Sequence, residues 1–176
     1  METGSIIVFE DEASFRQDST THATWSKRGC QPLMPITGAR KSVKVYGCVE
    51  LASAKFTYQT TDESFNADTY IDFLEVLASK YHKKHLSYIQ DNASYHKDSE
   101  VWNWFADNRK WIEVFNLPPY SPELNAAEPI WKYTRKVGTH NKCFHSQDEV
   151  LSTLEEVFAD VKKHPSRIKG YLKPFL

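Results

Sequence analysis

The stretch YIQDNASYH, residues 88–96, decides the fold. An apolar run from Leu86 to Ile89 stops at Asp91, and Asn92, Tyr95 and His96 follow. A short run of this kind reads as a buried strand. A lone Asp after a strand is ordinarily a turn or helix-cap residue. The same ending occurs earlier, where SIIVFEDEASF (5–15) opens on the continuous run Ile6 to Phe9 and turns acidic. That pattern predicts a buried strand ending near Asp11.

Working outward, ATWSKRG (23–29) reads as a short strand, and Pro32, Pro35 and Gly38 make the rest of that region loop. KSVKVYGCVE (41–50) alternates Val43, Val45, Gly47 and Val49 on one face. AKFTYQT (54–60) pairs with it as a hairpin. Ile71, Leu74, Leu77, Ala78 and Tyr81 recur at helical spacing across residues 67–82. After HLSYIQD come a helix over 98–108, a strand at WIEVFNL (111–117), the breaker PPYSPE (118–123), and a helix from about Asn125 to Val137. SQDEVLSTLEEVFADVKK (146–163) is an amphipathic helix with Ser146 as cap and Glu149 completing a capping box. The order β-β-β-α-β-α-β-α-α predicts an α/β fold in one domain over residues 1–176: a mixed five-stranded sheet with helices on both faces. The first strand can then lie beside the fourth, at a topological switch point, where sites form in open α/β sheets.

That neighbourhood explains the acids. Asp11 and Asp91 would meet at one sheet edge, where like charges raise each other's pKa and a cation resolves the conflict. Carboxylate oxygens with open positions suit Mg²⁺ or Mn²⁺. Glu123 and Glu128 are candidates for a third acid, and Glu128 is favoured. With Asn125 as N-cap, Glu128 falls at the third helical position, where it also reads as half of a capping box. Metal-held carboxylates serve phosphoryl transfer, two ions activating a water or a 3′-hydroxyl and stabilising the leaving oxygen. GxSxG, P-loop and GxGxxG signatures are absent from the sequence.

Composition bounds the alternatives. With 176 residues, 40% hydrophobic and 14% aromatic, the chain can bury a core and is not of disordered type. Three scattered cysteines imply no disulfide frame and fit a reducing, intracellular setting. The net charge of −1 divides unevenly: residues 1–24 carry −4 and residues 130–176 carry +4. No run is long enough for a transmembrane helix.

Taken together, FEDEASF (9–15), QDNASYH (90–96) and LPPYSPELNAAEPIWKYTRK (117–136) resemble the catalytic domain of mariner-type cut-and-paste transposases, closest to their bacterial insertion-sequence branch. ATWSKRGCQP (23–32) matches that family's Trp-x-x-x-Gly segment, so the resemblance spans residues 6 to about 137. It implies a ribonuclease H-like fold and an Asp-Asp-Glu triad, carried over as Asp11, Asp91 and Glu128, that binds two Mg²⁺ ions with Mn²⁺ as substitute. It implies transposon-end and target DNA as partners and a homodimer in the active complex, with no membrane role. A cytoplasmic placement follows, at the nucleoid in a bacterium or in the nucleus of a eukaryote. Glu128 follows Asp91 by 37 positions, slightly more than in many members, and Ala126 stands where the family usually has Pro. Full-length members carry N-terminal helix-turn-helix modules. With the first catalytic strand starting at residue 5, this chain is expected to be a catalytic domain without them. The alternatives are a catalytically idle domesticated domain serving DNA binding or assembly, and a related nuclease without strand transfer.

Several further residues are candidates for DNA contact or support of the triad. Asn92 is expected either to hold Asp91 or a metal-bound water, or to form an Asx-type turn. His96 is expected to approach phosphate or to make a structural hydrogen bond. Trp25, Lys27 and Arg28 are candidates for flanking DNA or a partner subunit, and Lys132, Arg135 and Lys136 for phosphate contacts beside the metals. Cys143-x-His145 supplies only two of the ligands a zinc site needs.

Overall fold

A computed structural model of the protein describes residues 4–18 and 20–176. Five strands form one mixed sheet: β1 (Ile6–Arg16), β2 (Ser42–Glu50), β3 (Phe56–Thr61), β4 (Leu86–Gln90) and β5 (Ile112–Asn116), in spatial order β3-β2-β1-β4-β5. The early strands pair antiparallel as a meander, and β4 and β5 add parallel to β1. The first strand therefore lies beside the fourth, as expected from the element order.

β1 does not end near Asp11 but runs on to Arg16. Ile6 to Phe9 is flanked by β4 on one side and by β2, from Val8 onward, on the other, and helices cover both faces, which explains its continuous apolar run. Beyond Phe9 the parallel pairing with β4 stops, while pairing with β2 continues to Arg16↔Ser42. There the strand alternates, with Ala13 and Phe15 buried and Ser14 and Arg16 exposed.

Helices α1 (Ala67–Tyr81) and α2 (Ser99–Asn108) cover one face, burying Tyr70, Phe73, Leu74 and Leu77 with Val8, Tyr46, Cys48 and Tyr88. Helices α3 (Glu128–Thr134), α4 (Gln147–Lys163) and α5 (Ser166–Leu172) cover the other, where Trp131, Phe158 and Ile168 pack with Phe15, Val45 and Phe56. Gly47 is required on this second face, because a Cβ there would collide with the Trp131 ring.

Three local expectations change. Residues 23–29 form no strand: Ser26 Oγ donates to the Cys30 carbonyl and Gly29 takes a φ of 84°, so the segment closes on itself as a turn. The helix after the proline breaker starts at Glu128, not Asn125: residues 126–127 form a turn in which the Ala127 amide donates to the Asn125 side chain, and Pro129, with no N–H to place, fits the first helical turn. Asn125 is extended, and the turn after α3 widens to π geometry over Arg135–Thr139. Ser146 does cap α4, but the Glu149 carboxylate accepts from the His145 amide, one residue short of a reciprocal box.

Candidate active site

Three consecutive acids in a strand cannot share a face. In β1, Asp11 points with Phe9 and Ala13 toward α3, while Glu10 and Glu12 point toward α1 and α2. Asp11 pairs in register with Gly47 of β2, and the Trp131 indole that Gly47 admits donates to Asp11 Oδ2 at 3.0 Å. Parallel pairing of Phe9 with Ile89 brings Asp91, one residue past β4, level with Asp11. Asp11, Glu12 and Asp91 each bring a carboxylate oxygen within 4.8 Å of the others. Glu128, the first residue of α3, lies outside that trio but lines the same cavity of about 410 Å³ as Asp11 and Asp91.

Two of these acids sit in opposite environments. Burial pushes the Asp11 carboxyl up to about 8, and the charges of Glu12 and Glu128 push the same way. The amide of Glu12 and the indole of Trp131 favour the carboxylate but do not prevail. Asp91, at 46% side-chain exposure, is held below its usual value by a hydrogen bond from His96. It also accepts from the Ala93 amide at 2.8 Å, so the turn reading of this Asp holds together with its place in the cavity.

Of the two roles expected for His96, the structure shows the structural hydrogen bond and not an approach to phosphate. His96 is 1% exposed and faces the protein interior, not solvent. Its Nδ1 lies 3.2 Å from Asp91 Oδ1 and its Nε2 lies 3.1 Å from Glu12 Oε1. Burial alone would lower its pKa, but the bonds to Asp91 and Glu12 hold it up at about 9. Both ring nitrogens then donate at neutral pH. The Tyr95 hydroxyl donates to the same Glu12 oxygen. The available signal was parity: with Asp11 turned to one face, Glu12 had to seek a partner on the other.

Asn92 donates to the Leu117 carbonyl and ties the end of β4 to the end of β5 at the cavity wall. The turn at this point is therefore built by Asp91, not by Asn92. Asn125 is buried, accepting from the Ala127 amide and donating to the Glu10 carbonyl, which fixes the approach to α3 against β1. Trp25 is fully exposed, and neither it nor Lys27 or Arg28 lines the cavity. Lys132, Arg135 and Lys136 do not line it either, and Arg135 lies over the Phe15 ring at 5.2 Å. The base on the cavity wall is Lys97, which the sequence did not single out, and the exposed Tyr120 joins it there with a φ of 56°. Among the described residues, no cluster able to hold a metal includes Cys143 or His145, and no helix is long and apolar enough to cross a membrane.

Comparison with known proteins matches residues 6–151 to a family described as DDE superfamily endonuclease. The chain is similar to the insertion element IS630 39 kDa protein of Shigella sonnei, at 24% identity over 95% of this chain and 48% of that protein. It is also similar to the Tcb2 transposase of Caenorhabditis briggsae, at 26% identity over 73% of this chain and 50% of that one. The chain thus spans about half the length of the curated relatives it matches. Among solved structures, the Mos1 strand transfer complex superposes with a TM-score of 0.70 at 19% identity, covering 95% of this chain and 50% of that one. The Mos1 mariner paired-end complex with Mn superposes with a TM-score of 0.69 at 20% identity, covering 95% and 51%. This likeness shows the fold, the ribonuclease H-like α/β sheet that the resemblance implies.

Proposed function

The chain belongs to the DDE superfamily endonucleases, and from that premise we propose that it is the catalytic domain of a metal-dependent DNA transposase, cutting phosphodiesters at transposon ends and joining 3′-hydroxyls to target DNA. The observation that carries this reading is the convergence of Asp11, Asp91 and Glu128 on one cavity from β1, the loop after β4 and the start of α3. The transposase relatives and the DNA complexes of Mos1 support it.

The donor set suits Mg²⁺ or Mn²⁺. It consists of carboxylate oxygens, which these hard cations prefer. Asp11 is buried among like charges that keep its carboxyl partly protonated near neutrality, a conflict that a cation relieves. Asp11, Asp91 and Glu128 would hold the ions, and the manganese in the Mos1 paired-end complex agrees with that choice. Bound there, a pair of ions supplies an activated water or hydroxyl and stabilises the leaving oxygen.

This chain's own residues do the positioning. Trp131 orients Asp11 through its indole N–H. His96 and the Ala93 amide fix the Asp91 carboxylate on the cavity wall. Asn92 and Asn125 pin the two walls to β5 and β1. Lys97 offers a cation to a phosphate entering the cavity.

The test is cleavage and joining of labelled DNA duplexes by the purified protein with Mn²⁺ or Mg²⁺, beside Asp91→Ala. Cut and joined products that need the metal and vanish in the variant are expected. Equal activity in Asp91→Ala would sink the mechanism. Cutting without joining would reduce the assignment to a nuclease.

A further inference from the structure

Behind the cavity, on the α1/α2 face of β1, lies a cluster of which the proposed chemistry uses only His96, and that only through its Nδ1 bond to Asp91. Glu10 is 0% exposed, and neither of its carboxylate oxygens has a hydrogen-bond partner among the described residues. Its Oε2 faces His96 Nε2 at 4.0 Å, and the same ring nitrogen lies 3.1 Å from Glu12 Oε1. One oxygen of Glu10, one of Glu12 and this nitrogen all lie within 4.8 Å of one another.

A buried carboxylate with no partner costs several kcal/mol of desolvation. A proton on Glu10 removes the charge but not the fault, because the new O–H has no acceptor within hydrogen-bond distance among the described residues. A metal ion in place of the His96 Nε2 proton removes both. We propose that Glu10, Glu12 and His96 form a metal site of their own, taking Zn²⁺, on the opposite face of β1 from the catalytic cavity.

The spacing fits. A tetrahedral ion with bonds of about 2.0–2.1 Å sets its ligand atoms roughly 3.4 Å apart. The two distances from His96 Nε2, 3.1 and 4.0 Å, bracket that value. The donor chemistry fits as well. An imidazole nitrogen with two carboxylates favours zinc over magnesium, which prefers oxygen and retains its waters. The outer partner is also in place. A metal-bound histidine usually donates its other ring N–H to a carboxylate, and here His96 Nδ1 lies 3.2 Å from Asp91 Oδ1. Zinc would displace the proton at Nε2 and leave Nδ1–H on Asp91, so the ion behind the sheet would lock the orientation of an acid in front of it.

This site can exist whether or not the chain is a transposase, and the test separates the two. Metal-stripped protein carrying Asp11→Asn and Glu128→Gln, which removes two cavity acids and spares His96, is titrated calorimetrically with Zn²⁺. About one equivalent is expected to bind still. Adding Glu10→Gln is expected to weaken that binding by 10-fold or more, with circular dichroism and melting in chelator unchanged. In ¹⁵N spectra, zinc should move His96 Nε2 and leave Nδ1 protonated. His96→Gln serves in place of Glu10→Gln if the latter does not fold. Zinc bound equally with and without Glu10, no zinc taken up by the folded double variant, or an unmoved His96 Nε2 would each overturn the proposal, whatever the DNA assay shows.

Discussion

Asp11 and Asp91 line one cavity and stand level where β1 passes the end of β4, yet the protein treats them oppositely. Asp11 sits in mid-strand, nearly buried, with acids on both sides and an indole as its side-chain donor. Asp91 sits past a strand end, half-exposed, backed by a cationic imidazole and a backbone amide. One carboxyl is pushed up to about 8 and the other is held down. The difference teaches that one acid is completed by its own protein and the other is left for a ligand to complete. A carboxylate that the fold keeps in conflict is where a cation gains most on binding.

Removing either acid gives the largest expected effect. Asp11→Asn and Asp91→Asn should each lower metal-dependent cleavage at least about 10³-fold, as loss of several kcal/mol of electrostatic stabilisation implies. In metal-free protein the two should part. Asp11→Asn removes a buried charge and should melt no lower than the parent above pH 8. Asp91→Asn breaks the bond to His96 and should melt lower. Melting curves of both variants in chelator check this, and a parallel fall in the two would break the contrast.

The next effect is in pH. The Asp11 pKa is raised above its unfolded value of about 3.9, so the native state keeps a proton that the unfolded chain has lost. Metal-free stability from this group therefore falls as pH rises toward 8. His96, raised to about 9, contributes stability that is full below its unfolded value of about 6.5 and is lost as pH rises through 9. Asp91 contributes above the unfolded carboxylate value and loses it in acid. Metal must displace the Asp11 proton, so apparent Mn²⁺ affinity should rise about 10-fold per pH unit from 6 toward 8. Calorimetric titrations at pH 6, 7 and 8 would expose a flat affinity, which this account cannot accommodate.

A third effect tests the seat of Asp11 and not its charge. Gly47→Ala drives a Cβ into the Trp131 ring, which packs among Phe15, Phe56 and Phe158. Overpacking of this kind costs about 1–3 kcal/mol. It should also move the indole off Asp11 while leaving the Asp91 bonds intact. A melting temperature lower by roughly 2–12 °C is expected for a domain of this size. An unchanged melt would mean that the ring has room elsewhere.

How much of this was legible in the sequence follows the same division. The meeting of Asp11 and Asp91 could be read from element order, because β-β-β-α-β fixes which strands are neighbours. The long motif around PPYSP pointed to the family, and the apolar periodicities placed α1, α2 and α4. The extent of β1 was hidden, because its continuous apolar run covers only the part flanked by β4 and the rest alternates. The Glu128 helix was placed three residues early, because the Asn-x-x-Glu spacing imitates a capping box while Asn125 instead accepts from the Ala127 amide in a turn that precedes the helix. The Glu12–His96 pair was out of reach of local pattern. Its two members lie 84 positions apart and meet only after the sheet has put Glu12 on its far face.

The smallest effect separates the bases. Lys97 is one turn past Asp91 and lines the cavity, whereas Lys132 and Lys136 are exposed away from it. A single phosphate contact changes the salt dependence of DNA binding by about one unit of slope and weakens all sequences alike. Lys97→Ala should therefore reduce the slope of log affinity against log salt by about 1, with a few-fold loss of DNA affinity and metal affinity unaltered. Lys132→Ala should leave both slope and rate where they were. If the slope falls for Lys132 and not for Lys97, DNA runs along the outer face of α3 and enters from the side opposite Asp91, and the half-exposed acid is then not the one that meets the incoming phosphate first.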